Sequence, residues 1–164
     1  MSESPYSVRH AEAGDARKLR AIRLEALADT PVAYGSTYED SVKWSRLKWR
    51  FAAAKWNYFF GERDGEVVGM ASGGFNDSHP GTHWLYGMYV TPSARGSDVA
   101  AQLVEAVSEW ARAQGAKSLY LHVTESVARA RAFYEKMGFR LNGESIRMDR
   151  DRSITLVTMV RCLD

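Results

Sequence analysis

The chain has 164 residues, 45% of them hydrophobic and 26% charged, a composition typical of one globular domain. Its net charge of +2 argues against a nucleic-acid-binding protein, which would carry a far more basic balance. It has no apolar run near the ~20 residues of a membrane span, and its first residues lack the apolar core of a signal peptide. We therefore predict a single cytoplasmic domain over residues 1–164, with no membrane and no nucleic-acid partner.

Side chains that could form covalent or metal crosslinks are sparse. Cys162 is the only cysteine, so the chain can form no internal disulfide, as is typical of a reducing compartment. The histidines lack the spacing of a zinc site; they are His10, His79, His83 and His122. We expect no bound metal.

The chain begins with a predicted strand and helix. Residues 6–11 alternate as a strand does, and residues 13–31 have helical periodicity. The apolar face of this helix consists of Leu19, Ile22, Leu24 and Leu27. Asp15 is placed to cap the helix, and Pro31 prevents its continuation.

A second helical region is predicted between residues 33 and 56, after a Gly-Ser-Thr break. Its aromatic side chains are unusually dense: Trp44, Trp49, Phe51 and Trp56. They either pack between helices or line the mouth of a substrate site.

The next segment predicts three strands and a helix. Two runs of β-formers flank Asp64-Gly65, a dipeptide that favours a type I′ hairpin turn because both residues take positive φ there. Residues 83–90 predict a third strand. The residues after Pro92, to about Gln114, predict a helix that Gly115 ends.

The last segment continues the alternation. Residues 117–123 predict a strand, residues 126–138 a helix, and residues 139–148 and 154–163 two closing strands. This order predicts an α/β protein with a sheet that is antiparallel early and mixed later.

The loop from Arg95 to Ala100 lies between a strand and a helix. Free N–H groups and the helix dipole at such a point can bind an anion. Gly96 allows close approach of a ligand to the backbone, and Arg95 offers a guanidinium fork suited to phosphate. On these residues alone the loop is either a phosphate cradle or an ordinary strand-to-helix turn.

Two motifs together resemble the GNAT superfamily of N-acetyltransferases, in its bacterial small-molecule or unassigned branch. They are "VTPSARG" at residues 90–96 and "FYEKMGF" at residues 133–139, separated by a helix and a strand. The resemblance extends from Tyr6 to about Leu163. It implies a single-domain GNAT-like α/β fold, with a mixed central sheet of about six to seven strands and about four flanking helices.

The resemblance also implies a transferase that uses acetyl-CoA as acyl donor. The loop Arg95-Gly96-Ser97-Asp98-Val99-Ala100 would hold the pyrophosphate through backbone N–H groups. The strand residues Met88, Tyr89 and Val90 would pair with the pantetheine amides, and a bulge there would let one N–H polarise the acetyl carbonyl. Tyr134 would lie beside the thioester sulfur and protonate the departing thiolate as general acid.

Two residues depart from the family pattern. Asp98 replaces the middle glycine of the loop, where a carboxylate could repel the pyrophosphate, point to solvent or cap the helix. Val127 replaces an asparagine that often contacts the cofactor, so that contact is lost unless Thr124 or Ser126 substitutes for it.

The acceptor would be a primary amine of a small molecule or peptide. Some members carry a glutamate as base at a position that falls near Trp84 here, and this sequence has no glutamate there. Glu39 and His83 are therefore equal candidates for the base. An aromatic acceptor side would consist of Tyr34, Tyr38, Trp44 and Trp84. The resemblance also implies a possible homodimer through the last strands.

A second hypothesis is a non-catalytic acyl-CoA-binding or sensor protein on the same fold. Asp98 and Val127 motivate it, and turnover with a panel of amines would distinguish it from an enzyme.

Overall fold

A seven-stranded mixed sheet, in the order β1-β2-β3-β4-β5-β7-β6, organises the protein. The structure is a computed structural model that describes residues 3–164. The strands are β1 Ser7–His10, β2 Tyr58–Arg63, β3 Glu66–Gly74, β4 His83–Val90, β5 Ser118–Thr124, β6 Phe139–Met148 and β7 Asp151–Cys162. Among the strands of residues 3–164, only β4 and β5 pair in parallel, so the sheet is antiparallel early and mixed later, as predicted.

Helices cover both faces of the sheet. They are α1 Ala16–Asp29, α2 Tyr38–Ser41, α3 Arg46–Lys55, α4 Val99–Ala113 and α5 Ala128–Lys136. The predicted α/β fold is confirmed, and the helix beyond the expected four is α2, a single turn at the start of the predicted second helical region. Within residues 3–164, no helix has the length and apolar character required to cross a membrane.

Two predicted details differ in the structure. Asp15 does not cap α1, because its carboxylate is bound to the Arg9 guanidinium at 2.8 Å and to the Glu12 N–H. Helix α4 does not begin directly after Pro92. A 3₁₀ turn, Pro92–Ala94, and the Arg95–Asp98 loop come first.

The hairpin between β2 and β3 forms where the sequence predicts it. Asp64 has φ 52° and Gly65 has φ 79°, the two positive values that a type I′ turn requires.

Apolar side chains fill both sides of the sheet. On one side, α1 and α3 bury Leu19, Ile22, Trp49, Phe60 and Tyr89 against it; we call this the α1 face. On the other, α4 and α5 bury Leu85, Leu103, Val107, Leu121 and Tyr134; we call this the α4 face. Leu19, Ile22, Leu24 and Leu27 are all buried, which confirms the predicted apolar side of α1.

Helix α4 lies close to the sheet because three strand residues have no side chain. A Cβ at Gly61 would meet Val99, one at Gly69 would meet Leu103, and one at Gly73 would meet Trp110. These glycines fix how closely α4, and therefore the loop before it, approaches the central strands.

We expect Gly73→Ala to destabilise the protein by about 1–3 kcal/mol. The added Cβ would overlap Trp110 Cε3, so the indole ring or the helix must move. Thermal or urea unfolding measures the change. Gly35→Ala is the matched control because its Cβ meets nothing within 4 Å; equal stability of the two variants would contradict the packing argument.

Candidate active site

A cleft opens between β4 and β5 where these strands stop pairing. They pair only at His83↔Leu119 and Trp84↔Tyr120, although β4 continues to Val90 and β5 to Thr124. Beyond Trp84, backbone groups on the facing edges are therefore available to a ligand that lies between the strands.

A hydrogen bond from Tyr34 shows which backbone groups of β4 face this cleft. The Tyr34 hydroxyl donates to the Met88 carbonyl oxygen at 2.8 Å, so the Met88 peptide groups point away from β3 and towards β5. The carbonyl of Val90, two residues on, accepts from Arg95 Nε at 3.1 Å. Since a strand residue presents its N–H and C=O at the same edge, the Met88 N–H is also at the cleft.

A β-bulge lies just before Met88, close to where the resemblance implies one. Between the pairs Ser72↔Tyr86 and Met70↔Tyr89, β4 has one residue more than β3, and Gly87 has φ 62°. A side chain at this positive φ would be strained. The bulge changes which side chains face each side of the sheet, so that Met88 joins the α4 face while Tyr86 and Tyr89 are on the other.

The loop before α4 leaves backbone N–H groups open to an anion. Gly96 has φ 81°, and a Cβ there would meet nothing within 4 Å. Asp98 precedes the helix without capping it through its side chain. The Val99 N–H donates to Ser97 Oγ at 3.4 Å, and the other N–H groups at the start of α4 keep their partial positive charge.

Arg95 is already engaged with an acidic side chain. Its Nη2 donates to Asp29 Oδ2 at 2.7 Å, and this hydrogen bond raises the Arg95 pKa and lowers the Asp29 pKa. A guanidinium held by a carboxylate and a carbonyl is neutralised in part. The backbone of the loop, more than the Arg95 fork, is thus the feature suited to phosphate.

Of the positions considered from the sequence alone, Asp98 takes the one that faces solvent, and it does not cap α4. It is exposed, and its Oδ1 accepts a hydrogen bond from Ser4 Oγ at 2.7 Å. Ser4 Oγ in turn accepts from Gln102 Nε2 at 3.1 Å. The carboxylate therefore fixes the N-terminal segment to α4.

We expect Asp98→Asn to tighten acetyl-CoA binding about two- to threefold. The exposed carboxylate repels phosphate weakly through a high dielectric, and the asparagine keeps an acceptor for Ser4. Calorimetric titration at two salt concentrations measures the effect, which should shrink at high salt. Weaker binding by the asparagine variant would mean that the carboxylate is needed to order the loop.

Tyr134 is buried on α5 with its hydroxyl available. Its ring lies 5.6 Å from Phe139 and 5.3 Å from Phe133, between centroids. Within residues 3–164 no side chain or backbone group hydrogen-bonds that hydroxyl. Burial raises the pKa of the Tyr134 phenol well above its ordinary value, so it stays protonated at neutral pH.

Val127 is the residue before α5 and offers only its backbone. Its N–H donates to the Thr124 carbonyl at 3.0 Å. Thr124 does not replace the missing asparagine side chain, because its hydroxyl donates to the Val32 carbonyl at 2.9 Å. Ser126 is exposed.

The segment between α1 and α2 crosses the cleft and contacts both walls. Tyr34 reaches Met88 on β4, and the Val32 carbonyl accepts from Thr124 on β5. Arg150, in the turn between β6 and β7, holds this segment by donating to the Tyr34 carbonyl at 2.9 Å and to the Pro31 carbonyl. The crossing segment therefore bounds the space available to an acceptor.

The two base candidates named from the sequence lie elsewhere. Glu39 is exposed in the first turn of α2, where an acidic residue favours the helix. His83 is on the α4 face, with its ring 5.5 Å from Trp110 and 5.2 Å from Phe75. Side chains alternate along a strand, so His83 points away from the side that Trp84 occupies.

Sequence reasoning missed His122, which lies on β5 two residues beyond Tyr120, the strand partner of Trp84. The ring centroids of His122 and Trp84 are 4.6 Å apart, and His122 Nδ1 lies 3.2 Å from Thr158 Oγ1. Burial lowers the His122 pKa, the nearby His79 lowers it further, and Glu144 raises it. The imidazole is therefore neutral near pH 7 and can accept a proton. The sequence signal that could have identified His122 is its position between Leu121 and Val123, two apolar strand residues that are buried.

The four aromatics proposed for an acceptor wall do not assemble. Trp84 is fully buried beside Tyr120 and His122. Trp44 packs against Trp49 and Trp56 in the α3 region, and Tyr38 is exposed. Within residues 3–164, no group of three or more His, Cys, Asp or Glu side chains is arranged to hold a metal.

Comparison with known proteins agrees with this geometry. Residues 19–139 match the family model described as Acetyltransferase (GNAT) family. A curated relative, the L-methionine sulfoximine/L-methionine sulfone acetyltransferase of Pseudomonas paraeruginosa, is 28% identical over 145 residues, which cover 84% of this chain and 82% of that protein.

Solved structures show the same fold. A GNAT-family acetyltransferase from Streptococcus pneumoniae has a TM-score of 0.77 at 18% identity and covers 97% of this chain and 99% of its own. A Salmonella typhimurium structure with its cofactor acetyl-CoA has a TM-score of 0.75 at 22% identity, covering 97% and 94%. The chain therefore belongs to the GNAT family, as an N-acetyltransferase that takes its acetyl group from acetyl-CoA.

Proposed function

We propose that this enzyme acetylates the primary amine of a small acceptor by direct attack, with Tyr134 as general acid. The observation that carries the proposal is the open β4–β5 cleft. The Met88 backbone on β4 forms one wall of the cleft, and β5 forms the other. The Tyr134 hydroxyl, which has no hydrogen-bond partner, is on α5, the helix that follows β5. We also propose that residues 1–164 form one domain.

The donor would lie along this cleft. The residues that would hold it are Met88, Tyr89, Val90, the Arg95–Ala100 loop, Val127 and Tyr134. Acetyl-CoA supplies an acetyl group activated as a thioester. The open space at Gly96, the uncapped start of α4 and the unpaired strand edges fit a phosphorylated, amide-containing ligand.

Two groups of the chain would assist the attack. The Met88 N–H would donate to the acetyl carbonyl oxygen, where negative charge develops. The Tyr134 phenol would donate its proton to the departing sulfur. The phenol is protonated at neutral pH, as a general acid must be, and burial raises its pKa further.

We propose His122 as the base that removes the amine proton, in preference to Glu39 or His83. If Nδ1–H donates to Thr158, Nε2 carries the lone pair that accepts a proton. His122 and Trp84 share the α1 face, at the point where the cleft begins to open. One ordered water would extend its reach towards Met88.

The acceptor is proposed to be a compact amine such as an amino acid. The curated relative acts on L-methionine sulfoximine and L-methionine sulfone, by its name. A segment that crosses the cleft and is held at Met88, Thr124 and Arg150 leaves limited room for a bulky acceptor.

Turnover with these two amines tests the proposal. Release of the CoA thiol should follow saturable kinetics, and mass spectrometry should find the acetylated amine. Saturable binding of acetyl-CoA without turnover of any amine in a broad panel would favour the sensor hypothesis instead.

The exposed last strands support a homodimer. β6 is at the sheet edge opposite β1, and its Leu141 and Ile146 are about half exposed. Sedimentation equilibrium should show a dimer that Ile146→Asp weakens; a wild-type monomer at all concentrations would exclude it.

A further inference from the structure

A second cavity, of about 280 Å³, lies between the start of α1 and the helix α3. Its charged lining comes entirely from arginines: Arg17 and Arg20 of α1, and Arg46 and Arg50 of α3. Trp49 and three small residues, Ala13, Gly14 and Ala16, complete the lining. We call this cavity the arginine cleft.

The four guanidiniums have no acidic partner. None of them forms an ion pair with a carboxylate anywhere in residues 3–164, and no acidic residue lines the cavity. Some other arginines are paired with carboxylates, as Arg161 is with Glu105 and Arg9 with Asp15. Like charges at spacings of three and four residues on each helix repel, and an anion in the cleft would remove that cost.

The cavity wall also contains an unsatisfied donor. Trp49 is 3% exposed, and its Nε1–H is buried without an acceptor. A buried donor without a partner is costly and uncommon in proteins. Because Trp49 also lines the cavity, its indole N–H signal should report on an anion bound there.

We propose that the arginine cleft binds a compact polyphosphate group. Guanidiniums bind phosphate oxygens in pairs of parallel hydrogen bonds, and four of them exceed what a single negative charge requires. The volume suits a diphosphate rather than a complete nucleotide cofactor.

The cleft is separate from the loop that would hold acetyl-CoA. That loop begins α4 on the opposite face of the sheet. Along α1, the cleft is at the first turn and Asp29, the partner of Arg95, is at the last, about 20 Å away. The polyphosphate could come from a free metabolite or from a lipid headgroup, since Leu47 and Phe51 are exposed nearby on α3.

Titration of the full chain with inorganic pyrophosphate, followed by NMR of the tryptophan indole N–H signals, tests this proposal. Saturating CoA is present throughout to occupy the other phosphate site. Trp49→Phe assigns the relevant signal among the five tryptophans. We expect the Trp49 signal to move saturably while the Trp110 signal stays in place. An unmoved Trp49 signal at millimolar pyrophosphate would overturn the proposal.

Variants locate the binding. Arg20→Gln with Arg50→Gln should weaken pyrophosphate affinity at least tenfold, and Arg63→Gln, a distant exposed arginine, should leave it unchanged. Equal weakening by both would indicate non-specific attraction and overturn the site. Co-sedimentation with phosphatidylcholine vesicles that contain a phosphatidylinositol bisphosphate, against phosphatidylcholine alone, separates the sources. Co-sedimentation that the double variant abolishes identifies a headgroup, and pyrophosphate binding without co-sedimentation identifies a free phosphate compound.

Discussion

Tyr134→Phe is expected to lower kcat by about 10²- to 10³-fold and to change KM for acetyl-CoA by less than about threefold. The phenylalanine keeps the ring between Phe133 and Phe139 and removes only the hydroxyl. Since that hydroxyl has no protein partner in residues 3–164, no internal hydrogen bond is lost. A fall in kcat would then report on the chemical step.

The measurement is steady-state release of the CoA thiol, together with a calorimetric Kd for acetyl-CoA and a thermal unfolding curve. Tyr6→Phe is the control, because Tyr6 lies at the start of the chain and its hydroxyl is only a weak partner of Arg63, at 3.5 Å. A Tyr134→Phe enzyme with wild-type kcat would remove Tyr134 from the acid role, whatever its effect on binding.

Local sequence signals predicted the elements of this fold well. The period of Leu19, Ile22 and Leu27 predicts α1, and Asp64-Gly65 predicts the β2–β3 hairpin, because residues a few positions apart determine both. The position of the Arg95–Asp98 loop could also be predicted, since a strand, a loop with a glycine and an amphipathic helix follow one another directly.

The contacts that decide the chemistry depend on residues far apart in the chain. Arg95 is paired with Asp29, and Asp98 with Ser4, so neither side chain behaves as its local motif suggests. His122 meets Trp84 only because β5 pairs in parallel with β4. No local pattern fixes such pairing, whereas alternation within β4 did indicate that His83 could face the other way.

His122→Gln is expected to lower kcat/KM at pH 7 by about 10²- to 10³-fold. The sign of the pH dependence follows from the lowered His122 pKa. Below that pKa the imidazole is protonated and cannot accept the amine proton, so activity should rise with pH through a midpoint below the usual value of about 6.5. The glutamine variant should lose this step.

The neighbours of His122 allow a more specific test of the assignment than loss of activity alone. His79 lowers the His122 pKa and Glu144 raises it. His79→Asn should therefore move the acid limb of kcat/KM to higher pH, and Glu144→Gln should move it to lower pH, while both variants keep most of the plateau rate. If His122 had only a structural role, neither substitution would shift the midpoint of the acid limb.

His83→Gln and Glu39→Gln are the controls. If one of them removes the acid limb of kcat/KM while His122→Gln retains it, that residue is the base and our assignment is wrong.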